Sequence, residues 1–246
     1  MTKVLKLGLI GDNIAQSQSP RMYQIAGHLA GIEVSYVRLV PQELGMAFED
    51  VFSLVQQDGF HGVNVTYPYK ERASDCVSAH DPAVCGIGAV NTVIFSDQPP
   101  MGFNTDYSGF IRAYRTIRRD AAPGTVCLIG AGGVGKAIAF ALLALKAKAI
   151  VCVDLDRTKA QALGHALNAT GTPTRVTVSD NALDAARYAD GIVNCTPLGM
   201  TNIGGTPLPA ETFTNAEWAF DAVYTPIETQ FLQDARRSDL TVISGY

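Results

Sequence analysis

The chain has 246 residues, 47% of them hydrophobic and 17% charged, with 23 glycines and a formal charge of −4. That composition belongs to a folded globular protein with room for one large domain or two modest ones, and it excludes intrinsic disorder. The acidic balance, without a basic arm or an RNA-binding aromatic signature, argues against nucleic acid or an anionic membrane as partner.

In chain order, "VLKLGLI" (4–10) predicts a first strand. Its apolar run is too short for a signal peptide, and no run approaches membrane-spanning length. "PRMYQIAGHLAG" (20–31) has helical periodicity closed by a glycine, "VSYVRLV" (34–40) predicts a second strand, and "PQELGMAFEDVFSLVQQDG" (41–59) a second helical stretch. "GVNVT" (62–66) predicts a third strand, halted at Pro68. In "GAVNTVIFSDQPPMGFNTD" (88–106), two short runs flank the turn formers Asp97 to Pro100, which predicts a hairpin.

The pattern restarts near residue 105. "YSGFIRAYRTIRRDAAPG" (107–124) predicts a helix, and residues 125–154 read as strand, glycine turn, helix and strand. "TRVTV" (174–178), "GIVNC" (191–195) and "WAFDAV" (218–223) are further strands, and 226–246 carries an amphipathic helix and a short strand. The alternation predicts an α/β protein with parallel sheets. The expected domains are 1–104 and 105–225, with 226–246 packing back towards the first.

Five cysteines, Cys76, Cys85, Cys127, Cys152 and Cys195, are odd in number and show no C-x-x-C spacing. A reducing, cytoplasmic compartment is expected, with neither disulfides nor a metal site.

The strongest chemical signal is "LIGAGGVGKA" (128–137), with G-x-G-x-x-G at Gly130, Gly132 and Gly135 around Gly133 and Val134. Such a turn, after an apolar strand and opening a helix, lets a pyrophosphate approach backbone N–H groups at a helix N-terminus. The next strand ends in Asp154, whose carboxylate suits ribose hydroxyls and repels a 2′-phosphate, so NAD is expected. Arg157 and Lys159 follow, and a side-chain rearrangement there would admit NADP. Asp156 reads as a helix N-cap.

A bound nicotinamide needs a neighbour that moves a proton. His28, His61, His80 and His165 sit in no recognisable catalytic setting, which leaves Lys70 in "NVTYPYK" (64–70) and Asp106 in "NTDYSGF" (104–110). Together with "SQSP" (17–20), "GAVNT" (88–92), "GAGGVGKA" (130–137), "NCTPLGM" (194–200) and "DAVYTP" (221–226), these motifs resemble the shikimate dehydrogenase family, which includes shikimate and quinate dehydrogenases.

The resemblance implies two α/β domains, an N-terminal substrate-binding domain with a mainly parallel sheet and a Rossmann-like dinucleotide-binding domain, with a cleft between them. It implies reversible reduction of 3-dehydroshikimate to shikimate with NAD or NADP, by a monomer or homodimer. Lys70 and Asp106 match the catalytic pair. Ser17 and Ser19 match the serines that bind the substrate carboxylate, and Thr66, Asn91 and Tyr224 match further substrate contacts. Thr196, Ala222, Val223 and Gly245 match the cofactor side. Ser19 before Pro20 also reads as an N-cap.

Two departures stand out. Asn13 and Gln16 replace the family's common proline and histidine, and the sequence stops at Tyr246, before a family helix that carries a substrate-binding glutamine. The expectation is that the natural chain continues. The rival readings are a quinate/shikimate dehydrogenase and, from another class, a non-catalytic ligand sensor.

Overall fold

The computed structural model describes residues 4–96 and 99–245. The chain divides into two compact units, 1–105 and 106–246. Both are α/β.

The first unit runs β1 (Val4–Ile10), α1 (Ser19–Ala30), β2 (Glu33–Leu39), α2 (Pro41–Leu44), α3 (Phe48–Gln57), β3 (Gly62–Val65), α4 (Lys70–Asp75), α5 (Pro82–Ile87), β4 (Thr92–Ile94) and β5 (Met101–Phe103). Its sheet has the order β2-β1-β3-β4-β5. β1 pairs parallel with β2 and β3, and the β4–β5 hairpin adds two antiparallel pairings. The expected turn falls partly on Asp97 and Gln98, which lie outside the described residues.

The helical stretch 41–59 is two helices rather than one. Gly45 takes φ +65°, a left-handed conformation that ends α2. In α3, Phe48, Val51, Phe52 and Val55 repeat at i, i+3, i+4 and i+7 and are all buried. Burial of each such side chain contributes about 1.5–3 kcal/mol. Phe48 also stacks on Tyr69, with ring centroids 5.0 Å apart, and so anchors the segment that follows β3.

The second unit opens within α6 (Thr105–Arg118), one residue later than expected. It continues with β6 (Thr125–Ile129), α7 (Gly133–Ala144), β7 (Ala149–Val153), α8 (Arg157–Ala169), β8 (Arg175–Ser179), α9 (Ala182–Arg187) and β9 (Gly191–Asn194). A 3-10 turn (Ala210–Asn215), β10 (Trp218–Asp221), α10 (Gln230–Arg237) and β11 (Thr241–Ser244) complete it.

All six strands are parallel, in the order β11-β10-β9-β6-β7-β8. Starting from β6, the chain winds outwards through β7 and β8, then returns to build β9, β10 and β11 on the other side. This is the doubly wound order, whose switch point leaves a crevice beyond the carboxyl ends of the central strands. β6, β9 and β10 are almost wholly buried, as strands covered by helices on both faces must be. The segment from 226, expected to turn back to the first domain, instead belongs to the second unit, where β11 pairs with β10 at the edge of this sheet. Among the described residues, no helix is long and apolar enough to cross a membrane.

Candidate active site

In the first unit, polar side chains gather at the carboxyl ends of β1 and β3. Gly11, at the end of β1, lies so close to the segment after β3 that a Cβ there would come within 2.3 Å of Thr66 Cγ2. The Asp12 amide donates to the Tyr67 carbonyl at 3.0 Å, and the buried Tyr69 hydroxyl donates to Asp12 Oδ1 at 3.2 Å. Burial first, then the bond and charge of Asp12, push the Tyr69 phenol up, so it stays a donor. The serine loop and the Thr66–Lys70 segment are thereby joined.

Within that loop, Ser17 Oγ donates to Ser19 Oγ at 3.1 Å and accepts the Ser19 amide at 3.3 Å. α1 begins at Ser19, with Gln18 at the N-cap and no capping side chain. The expected cap role of Ser19 is therefore not taken up, because its hydroxyl faces Ser17 and Tyr36. Asn13 takes φ +53°, a conformation that a proline ring forbids.

From Ser19 a chain of hydrogen bonds runs through residues that the motifs alone did not single out. Tyr36 bonds Ser19, and its hydroxyl donates to Asn64 Oδ1 at 2.9 Å. Asn64 Nδ2 donates to Thr92 Oγ1 at 3.2 Å, and Thr92 Oγ1 donates to Asn91 Oδ1 at 3.1 Å. Asn91, only 8% exposed, also accepts from the Thr105 amide and hydroxyl at 2.9 and 3.0 Å. Burial, then the neighbouring Tyr23, hold the Tyr36 phenol well above its ordinary range. Arg38, two residues on, donates to the Ser17 carbonyl at 2.9 Å and sets a positive charge beside the serine pair.

Tyr36 and Arg38 share one face of β2, as their i, i+2 spacing requires. That alternation was the available signal for them; Asn64 stands inside a motif already quoted. Lys70 is the first residue of α4 and half-buried, and its carbonyl accepts the Val90 amide at 2.9 Å.

In the second unit the glycine turn joins β6 to α7. Gly130 has φ +99°, and a Cβ there would lie 2.7 Å from the Cys195 carbonyl carbon. A Cβ on Gly135 would lie 1.9 Å from the Gly130 oxygen. Gly132 differs. It is the N-cap of α7 with no capping side chain, and a Cβ there would meet no heavy atom within 4 Å. Protein packing does not demand glycine at that position, whereas close approach of an anion to the opening amides of α7 does. Gly133 and Val134 are the first two residues of that helix. A dinucleotide fits these residues.

Asp154 follows β7. One of its oxygens accepts the Ala131 amide of the glycine turn at 2.7 Å, the other the Asp156 amide at 2.8 Å. A carboxylate offers about four lone-pair sites, so both oxygens keep capacity for ribose hydroxyls. Asp156 caps α8 by accepting the Thr158 amide at 3.0 Å. Arg157 is ion-paired with Asp180, just past the end of β8.

On the other side of β6, Thr196 follows β9, Ala222 and Val223 follow β10, and Gly245 follows β11. The Ala222 amide donates to the Asn194 carbonyl at 2.9 Å and the Gly245 amide to the Asp221 carbonyl at 2.8 Å, which draws these loops together. Tyr224 is 59% exposed just beyond them. Asp106, in the first turn of α6, is near this sheet end. The Cys195 thiol, under the glycine turn, is pushed well above the usual thiol range by burial and then by the charges of Asp221 and Asp106.

Residues 9–93 match the profile of the shikimate dehydrogenase substrate binding domain. The chain is 36% identical over 245 residues to a quinate/shikimate dehydrogenase (NAD(+)) of Corynebacterium efficiens, covering 97% of this chain and 86% of that protein. It is 35% identical over 249 residues to a shikimate dehydrogenase (NADP(+)) of Pseudarthrobacter chlorophenolicus, covering 99% and 85%.

Among solved structures, quinate dehydrogenase from Corynebacterium glutamicum in complex with NAD matches with a TM-score of 0.90 at 33% identity, over 99% of this chain and 89% of the other. Shikimate 5-dehydrogenase from Thermus thermophilus in complex with NADP(H) and shikimate matches with a TM-score of 0.84 at 34% identity, over 98% and 87%. With relatives this similar over nearly the whole chain, the protein belongs to the shikimate/quinate dehydrogenase family of NAD(P)-dependent oxidoreductases acting on a CH–OH group.

Proposed function

We propose that the protein is a shikimate dehydrogenase that reversibly reduces 3-dehydroshikimate to shikimate and prefers NAD. What carries the cofactor part is Asp154 at the end of β7, one oxygen held by the Ala131 amide of the glycine turn and the other by the Asp156 amide, while Arg157 pairs with Asp180. A carboxylate there favours ribose hydroxyls over a 2′-phosphate.

The nicotinamide supplies or accepts hydride when bound. The chain's residues do the rest. Lys70 gives a proton to the carbonyl oxygen in reduction and takes it back in oxidation. Asp106 accepts a hydrogen bond from a substrate hydroxyl. Ser17 and Ser19, with the Arg38 charge beside them, receive the carboxylate, and Thr66, Asn91 and Tyr224 meet the ring hydroxyls.

A second reading extends the substrate to quinate. It is favoured by the pairing of NAD with quinate in the names of two similar proteins. Absorbance of the reduced nicotinamide, followed with shikimate and with quinate against NAD and NADP in turn, tests both. Turnover of shikimate with NAD above NADP is expected. Silence in all four pairings from folded protein would leave the sensor reading in its place.

A further inference from the structure

One buried polar node ties together the loops after β9 and β10. Asp221 is fully buried at the end of β10, and its carboxylate accepts three bonds. Asn194 Nδ2 donates to Oδ1 at 2.9 Å, the Val223 amide to Oδ1 at 3.0 Å, and Thr229 Oγ1 to Oδ2 at 2.5 Å. Asn194, also fully buried, relays this outwards. Its Oδ1 accepts the Thr196 amide at 3.0 Å and the Thr196 hydroxyl at 2.7 Å, and its Nδ2 reaches the Leu198 carbonyl at 3.2 Å. The third loop is pressed against the second, since a Cβ on Gly245 would lie 2.8 Å from the Ala222 oxygen.

In a doubly wound sheet the two halves of a dinucleotide lie on opposite sides of the switch point. Asp154 marks the adenosine side, over β7. The nicotinamide half therefore falls to the loops after β9, β10 and β11. We infer that Asp221 is a positioning residue, whose carboxylate holds the loops after β9 and β10 in the shape that receives the nicotinamide half of the cofactor. The inference rests on the dinucleotide reading given above.

Neither the α10 cap nor the pairing of β10 requires a carboxylate at this position. Thr229 already caps α10 by accepting the Leu232 amide at 3.2 Å, and β10 needs no buried carboxylate to pair with its neighbours. Burying a charge is costly unless donors compensate it. Here burial raises the Asp221 carboxyl, while Thr229, the Val223 amide and Asn194 pull it back towards the ionised form. A group that accepts three bonds from two loops fixes their mutual geometry. An asparagine would turn an NH2 towards one of those donors and release one loop.

The test uses the whole chain and two probes, NADH and ADP-ribose, which shares the adenosine and pyrophosphate but lacks the nicotinamide. For Asp221→Asn, NADH affinity is expected to fall at least tenfold with ADP-ribose affinity within twofold of wild type, both corrected for the folded fraction from thermal melting. Thr229→Val, which removes one donor and the α10 cap with it, is expected to show the same split more weakly after the same folded-fraction correction, and it carries the test if Asp221→Asn does not fold. Equal losses for both probes, or no loss for either, overturn the inference. A wild-type protein that binds neither probe overturns the dinucleotide reading as well, so the two failures are distinguishable.

Discussion

Gly132→Ala separates what the fold requires of the glycine turn from what a ligand requires. Gly132 has φ −76° and ψ −170°, an extended conformation open to alanine, and the new methyl would meet no heavy atom within 4 Å. A glycine-to-alanine change at a compatible site stabilises by about 0.4–1 kcal/mol, because the unfolded chain loses freedom. For a chain of this size that raises Tm by roughly 1–4 °C. The same methyl adds bulk at the N-cap of α7, beside the opening turn where a pyrophosphate would have to sit. A displaced anion would lose charge-assisted hydrogen bonds worth about 1.5–3 kcal/mol, which is roughly a ten- to hundredfold loss of dinucleotide affinity. Scanning calorimetry and an NADH fluorescence titration read the two effects separately. Gly135→Ala is the control, since its Cβ would lie 1.9 Å from the Gly130 oxygen, and its expected effect is on folding itself. The reasoning fails if Gly132→Ala binds NADH as wild type does, or if it melts well below wild type.

Lys70→Ala is expected to lower turnover about 10²–10⁴-fold with NADH affinity within twofold, as loss of a proton-transfer group should; comparable losses in both, by steady-state rates and titration, would contradict its role. Asp154→Ala should raise the ratio of kcat/KM with NADP to that with NAD at least tenfold. It also leaves the Ala131 and Asp156 amides without their acceptor, at about 1–3 kcal/mol of stability by chemical denaturation; an unchanged cofactor ratio counts against the ribose assignment. The Cys127 and Cys152 thiols are pushed up to about 12, in both cases chiefly by burial. At pH 8 about one in ten thousand is ionised, so a thiol reagent should modify exposed Cys85 in the native protein and spare these two until it unfolds. Rapid native labelling at Cys127 or Cys152, located by peptide mass mapping, would refute that.

Much of this fold is local in origin and was legible as such. Strands such as Val4–Ile10 and Thr125–Ile129 announce themselves by apolar runs of the right length, and the glycine turn is written in one continuous stretch with Asp154 at the end of the next strand. Helix breaks were less legible. Gly45 splits the stretch 41–59 because a left-handed residue stops a helix whatever the apolar pattern on either side. The short helices at Lys70–Asp75, Pro82–Ile87 and Ala182–Arg187 are under two turns and present too little periodicity to read.

The sequence by itself determined the α/β class, the dinucleotide turn and the identity of the motif residues, because each is a property of neighbours along the chain. Tertiary structure alone decided the strand order β11-β10-β9-β6-β7-β8, the Tyr36–Asn64 link across 28 residues and the Asn194–Asp221 bond across 27. It also drew Arg157 to Asp180 and set the Ser19 hydroxyl against Tyr36. These depend on which segments packing brings side by side, and a hydrogen bond between residues so far apart leaves no period or spacing in the sequence to be read.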